Sequence, residues 1–352
     1  MINLKSLSTV LVSIALLTGC KNTNHKTELN GFPVQGIDFY SYDLSYDTDI
    51  AKSYFTDTKL IPLSSENTDY IFSTANQCII RNNLIYILDW RARTLFIFDM
   101  EGNPVKKLAR QGRGPEEYLQ ISKFEIDRNG DIIVWDGQSD HLFFYSSELQ
   151  LIKKIKAKFD IEDIKLLDEN HFIISLTSWN SLEHAGTKIL ITDRELNVLE
   201  HYLSYDEFVD NNMFLNTPQL VSLGSNHFAY VGLIDNNIYQ FTDKNYTYNV
   251  LSFDFGGRNV PNEIRANVEE NFFNGNLKNY TSIDAIYAIT DKYIYGSLRD
   301  GLKKRLFLID LSTKKCLIGK EDSNLPIGTS EGTIISLIDN DGEYVIALDR
   351  IK

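Results

Sequence analysis

Short apolar, β-rich runs, each opened by a polar turn, recur along this chain at intervals of about 40 to 65 residues. Asn82-Asn83 precedes LIYILDW, Asp127–Gly130 precedes DIIVWD, and Asp168–Asn170 precedes HFIISL. Gly224–Asn226, Thr290-Asp291 and Asp339–Gly342 open the later copies HFAYVGL, KYIYGSL and EYVIAL. Around each copy the pattern predicts four strands, A to D. In the first unit these are Gln77–Arg81, Leu84–Asp89, Thr94–Phe98 and Val105–Ala109. In the second they are Lys123–Ile126, Asp131–Trp135, His141–Tyr145 and Leu151–Ile155. Units three to five centre on B strands at Phe172–Leu176, His227–Gly232 and Tyr293–Leu298.

One such unit cannot bury both of its apolar faces, so neighbours must stack around a common axis. The expected fold is all-β, a six-bladed β-propeller of four-stranded antiparallel blades. Its sixth unit, Ile334–Ile338 and Tyr344–Leu348, needs outer strands from the N-terminus. Thr58–Leu63 is the expected donor, with Pro62 suited to an edge strand, so both chain ends share the closing blade. In this geometry A–B and C–D turns fall on one face, and B–C and D–A connections on the other. The first set is short (Asn129-Gly130, Glu169-Asn170, Asp341-Gly342, Glu101-Gly102). The long connections, Arg110–Ser122, Ser178–Thr187, Ser204–Thr217, Gly256–Ser282 and Glu321–Gly332, all belong to the second. Within them, Ile264, Val268, Phe272 and Phe273 have helical spacing, and Asn274-Gly275 supplies a stop.

The first residues follow another pattern. Lys5 leads into an apolar segment that ends in Leu17-Thr18-Gly19-Cys20, the layout of a lipoprotein signal whose cysteine is acylated after cleavage. The segment is too short to span a bilayer. Three regions follow: a signal peptide over 1–19, a lipid-anchored spacer and extension over 20–55 with a polar stretch at 21–36, and the propeller over 56–352. The expected location is the cell envelope outside the cytoplasm, at the outer membrane, with the lipid as the sole membrane contact. The remaining Cys78 and Cys316 lie in different units and read as two separately buried side chains, with a disulfide as the alternative. The chain of 352 residues carries 48 acidic against 35 basic side chains, a net charge of −13 that disfavours nucleic acid.

The chain resembles the six-bladed β-propeller lipoproteins of Bacteroidetes, distant relatives of NHL-repeat propellers. Ile61-Pro62-Leu63, Leu84–Asp89, Phe98–Gly102 and above all Gly112-Arg113-Gly114-Pro115-Glu116-Glu117-Tyr118 carry the resemblance. The last heptad matches a Gly-x-Gly-Pro-x-Glu-Tyr element of that family at every fixed position. The resemblance implies the same propeller, from about Asp57 onward.

Candidate chemistry collects on the loop-rich face. Trp90, Arg91 and Arg93 follow strand B of the first unit, and Asp136, Asp140 and His141 that of the second. Trp179 and His184 follow in the third, Arg299, Asp300 and Lys303 in the fifth, Asp349 and Arg350 in the sixth. Aromatic rings and guanidinium forks around an opening suit a small molecule, a glycan or a peptide or protein partner. Asp89, Asp136, Asp300 and Asp349 share one repeat position and either cap the B–C turn or touch ligand. Arg113 sits in a glycine-rich stretch that reads as an anion contact or as an interblade turn over Tyr118. Gly328–Gly332 spells G-x-S-x-G but leads into a strand where a hydrolase needs a helix. Asp127–Asp131 and Asp339–Glu343 lack the late carboxylate of a calcium loop. No catalytic, metal or cofactor site is expected. A binding module is the leading reading, and a propeller enzyme of the calcium-dependent lactonase or sugar-lyase kind is the rival.

Overall fold

The computed structural model describes residues 28–29, 32–205, 219–224, 226–232, 234–242, 248–321, 325–330 and 332–352. They form six sheets, each a blade of four antiparallel strands, arranged as a propeller. Blade one is Gln77–Arg81, Leu84–Asp89, Thr94–Asp99 and Pro104–Leu108. Blade two is Lys123–Ile126, Ile132–Asp136, His141–Tyr145 and Leu151–Lys156. Blade three is Ile161–Leu166, His171–Leu176, Thr187–Asp193 and Val198–Ser204. Blade four is Gln219–Gly224, His227–Val231, Asn237–Thr242 and Tyr248–Asp254. Blade five is Thr281–Ile289, Tyr293–Asp300, Lys303–Asp310 and Lys315–Glu321.

The middle strands are apolar almost without a break because both of their faces are covered by neighbouring blades. Strand B of blade one is buried from Ile85 to Asp89 and strand C from Thr94 to Phe98. Strand D of blade two alternates half-buried and exposed, since its outer side meets solvent. Six apolar clusters fill the six interfaces; one joins Tyr86, Ile97, Phe124, Val134 and Phe143 of blades one and two. Each fully buried side chain of this size contributes about 1.5–3 kcal/mol, so the interfaces are where the ring is held. Cys78 and Cys316 are separate buried thiols, and burial pushes the Cys316 thiol up to about 12.

Blade six closes the ring, but one strand out of the expected frame. Its strands are Pro326–Ser330, Thr333–Asn340 and Glu343–Ile351 from the C-terminus, and Phe55–Pro62 from the N-terminus. Val345 pairs with Pro62 and Ile351 with Phe55, so three strands meet one rather than two meeting two. The element outside the expected pattern is Pro326-Ile-Gly-Thr-Ser330, whose small polar residues look like loop yet form the innermost strand. A Cβ on Gly328 would lie 2.3 Å from the Cys78 carbonyl oxygen, so glycine lets blades six and one approach at the axis. Asp341-Gly342 is therefore a B–C turn, and Asp349 and Arg350 end strand C on the face opposite the one expected.

The N-terminal region also departs from expectation. In its described part, the stretch read as spacer and extension (20–55) is largely strand and lies on the propeller. Phe32–Asp38 runs parallel to strand D of blade four, pairing Val34 with Val250 and Ile37 with Phe253. Asp43–Thr48 runs parallel to strand D of blade five, pairing Leu44 with Cys316. Between them Phe39, 2% exposed, inserts beside Phe255 and Phe307. The chain thus straps blades four and five before becoming the outer strand of blade six. The expected signal peptide and Cys20 lie outside the described residues. Among the described residues no helix is long and apolar enough to cross a membrane.

The expected helix is present as two short ones, Asn262–Arg265 and Val268–Phe273, broken at Asn267 and stopped before Gly275, whose φ is 72°. It sits over blade five on the loop-rich face, where Phe272 meets the Arg299 guanidinium at 5.6 Å.

Candidate functional site

The loop-rich face distributes the sequence-predicted residues among different tasks. Trp90 and Arg91 are exposed in the B–C turn of blade one, and Trp179 is exposed in that of blade three. Arg93 is half-buried with a left-handed φ of 53°, and its carbonyl accepts a bond from the Tyr118 hydroxyl. His141 meets the Ser139 carbonyl through Nδ1 and stacks at a tilt near Phe143. Arg299 Nε lies 3.3 Å from Asp284, and Asp300 is 2.6 Å from Arg258 of the helical insertion. Arg350 is exposed at the other end of blade six, where Nε donates to Thr333 Oγ1 at 3.1 Å.

Two of the repeated Asp residues are caps. Asp136 is fully buried and accepts bonds from the backbone of Leu119, Gln120, Gln138 and Ser139 and from the Ser139 hydroxyl. Asp89 does the same for Ser73, Thr74 and Ala92. Burial alone would raise the Asp89 carboxyl, but bonds from Ala92, Ser73 and Thr74 outweigh it and hold its pKa below the ordinary value. In the Gly112–Tyr118 heptad, Tyr118 is buried and donates to the Leu108 carbonyl, Glu117 accepts from Gly114 N–H, and Arg113 points to solvent. This is an interblade turn.

The concavity lies elsewhere. A cavity of about 930 Å³ runs along the axis between the innermost strands, from Asn76 and Gln77 to the A–B turns at Arg128, Asn129, Glu169, Asn170 and Asn226. None of the loop-face candidates above lines it. Propeller topology turns the unpaired edge of every A strand toward this axis, so the backbone there needs side-chain partners. Gln77 supplies them to Phe124, donating to its carbonyl at 2.7 Å and accepting from its N–H at 3.2 Å. Thr329 of blade six donates to the Ser222 carbonyl of blade four, and Ser330 to that of Ile80 in blade one.

The cavity is asymmetric. On blades two and three, Lys123 with Glu125 in KFEI and Asp163 with Lys165 in IEDIKL stand two positions apart, which a period of two brings to one side. Lys165 Nζ is 2.9 Å from Glu125 Oε1 and 3.5 Å from Asp163 Oδ1, and Lys123 Nζ is 3.7 Å from Asp163 Oδ2. Burial by itself would lower the Lys165 pKa, yet Asp163 and Glu125 reverse this and hold the ammonium charged. The wall from blades four to six is neutral, with Gln219, Ser222, Tyr287 and Thr329. The charged quartet lies on strands and not on the loops that carry the sequence-predicted candidates. The usable signal was charge at every second position of strands destined for the interior. Among the described residues no three His, Cys, Asp or Glu side chains are grouped to hold a metal ion.

Fold and cavity together define a six-bladed propeller with a polar, charge-paired axial chamber. The chain belongs to the family described as "Domain of unknown function (DUF4934)", which matches residues 43–349. Among solved structures it is similar to a protein of Bacteroides fragilis inferred to be exported, with a TM-score of 0.73 at 16% identity, covering 88% of this chain and 99% of the other. A member of the duf4221 family from Bacteroides vulgatus aligns with a TM-score of 0.56 at 11% identity over 85% of this chain and 97% of that one. These likenesses show the fold. No curated protein matches the chain.

Proposed function

We propose that this protein is a binding module of the cell envelope, acylated at Cys20, whose ligand occupies the axial cavity rather than the loop-rich face. The observation that carries the reading is the cavity itself: about 930 Å³ of concave space with buried lysine and carboxylate groups converging on it. Binding sites are concave and hold a few oriented polar groups. The exposed pair Trp90 and Arg91, Arg113 and Trp179 stand on three separate loops, while Asp136 and Asp89 are consumed by caps. Export is supported by the Leu17–Cys20 signal and by the exported character inferred for the Bacteroides fragilis relative.

Two measurements test the reading. Metabolic labelling with an alkynyl fatty acid is expected to mark the full chain and to fail for Cys20→Ala. Thermal-shift screening of the purified protein is expected to yield ligands whose stabilisation disappears in Ser222→Trp, which narrows the cavity, and persists in Trp90→Ala. The opposite dependence would return the site to the loop-rich face.

A further inference from the structure

Resting on that reading, we infer that the cavity's ligand is an uncharged, hydroxyl-rich molecule, an oligosaccharide without acidic or amino sugars. The argument starts from charge balance. Between the A strands of blades two and three, Lys123, Lys165, Glu125 and Asp163 are two ammonium and two carboxylate groups, interleaved so that each cation has a carboxylate within 3.7 Å. The other charged lining groups, Arg81, Asp127, Arg128, Asp131, Asp168, Glu169 and Arg194, lie toward the A–B turns, where Arg128 is paired with Glu169 and Arg194 with Asp127. An anionic group seated against either lysine would also face Glu125 or Asp163. A cationic group would meet the reverse problem, and each would have to shed its hydration to enter. A neutral hydroxyl meets neither penalty, because it donates to a carboxylate while accepting from the neighbouring ammonium.

The quartet has capacity left for this. An ammonium offers three donors and a carboxylate about four acceptor sites. Lys123 and Asp163, at 3.7 Å, are beyond direct hydrogen-bond range, so a hydroxyl is free to bridge them. Donor and acceptor spaced in this way suit adjacent hydroxyls on one ring. The opposite wall continues the theme with hydroxyl and amide groups at Ser222 and Gln219. At about 930 Å³ the chamber is near the upper end of the 300–1,000 Å³ typical of ligand sites, roomier than one sugar ring requires.

The test is calorimetric titration of the full-length protein in detergent with four probe sets: neutral trisaccharides (maltotriose, cellotriose, xylotriose), trigalacturonate, the glucosamine trisaccharide, and trialanine. At least one neutral trisaccharide is expected to bind at least tenfold more tightly than any charged probe. Its affinity is expected to fall at least tenfold in Lys123→Met and in Ser222→Trp, with Trp90→Ala unchanged. Lys123 is partly open to the cavity, and a melting curve for each variant separates lost binding from lost fold. Tighter binding of trigalacturonate, the glucosamine trisaccharide or trialanine, abolished by Ser222→Trp, overturns the ligand class and leaves the cavity as the site. A neutral trisaccharide whose binding survives Ser222→Trp overturns the cavity as well. Absence of binding by every neutral probe also overturns the ligand class.

Discussion

The outer rims of blades one to three and of blades four and five solve the same problem in different ways. Every propeller blade ends in a strand whose outward backbone groups invite another strand to pair. In blades one and two that edge is defended by composition: Pro104 with Lys106 and Lys107, then Lys153, Lys154 and Lys156. Lys154 lies over the Phe143 ring at 4.7 Å, so its stem covers apolar surface while its charge discourages pairing. The edges of blades four and five, YNVLSFD and KCLIGKE, have no such row of lysines, and each receives a parallel strand from the N-terminal strap. Blade three is intermediate, with Glu200 and His201 beside an exposed Leu199. The lesson is that an edge is safe when it is charged or when it is occupied, and this chain uses sequence at blades one and two and connectivity at blades four and five.

The comparison breaks most readily at the strap. Phe39→Ala empties a site between Phe255 and Phe307 and is expected to destabilise by about 3–5 kcal/mol in urea titration. Ile152→Ala on the open rim, where the side chain is 55% exposed, should change stability by less than about 0.5 kcal/mol. Equal losses at the two positions would remove the distinction. Next come the caps. Asp89→Ala leaves the Ser73, Thr74 and Ala92 N–H groups without their acceptor and is expected to remove about 3 kcal/mol.

The same residue sets a pH dependence. Asp89 and, in the strapped half, Asp310 are both held below the ordinary carboxyl value; at Asp310 burial opposes this and the Ser312 and Thr313 bonds prevail. A depressed carboxyl contributes stability above its unfolded pKa of about 3.9 and loses it as pH falls through the lower folded value. Melting temperature should therefore fall as pH drops below about 4, and less steeply in Asp89→Asn or Asp310→Asn. The smallest effect on folding belongs to the guarded rim. Replacing Lys154→Val together with Lys156→Val should leave the unfolding free energy from urea titration within about 0.5 kcal/mol of the parent while producing concentration-dependent association by sedimentation.

How much of this was legible in the sequence depends on range. Leu84–Asp89 and Thr94–Asp99 were readable because a fully buried strand writes its own apolar run, and Gly112–Tyr118 because a fixed turn needs its glycines and its tyrosine. The strap was not. Phe32–Asp38 is broken by Pro33 and Gly36, Asp43–Thr48 is polar at most positions, and both become strands through partners more than 200 residues away, such as Val34 with Val250. The closing blade slipped by one strand because Pro326–Ser330 has little β propensity and is held by contacts at the axis. The charged quartet was present in plain view as KFEI and IEDIKL, but two strands from different blades had to be brought side by side before lysine met carboxylate.

The strap also fixes where on the propeller the chain's first described strand begins. From Cys20 to Glu28, where the first described strand begins on the rim of blade four, there are only eight residues, a leash of at most about 28 Å at full extension. Should the proposed acylation at Cys20 hold, the wheel would be moored by its tyre, at blade four, and not by its hub.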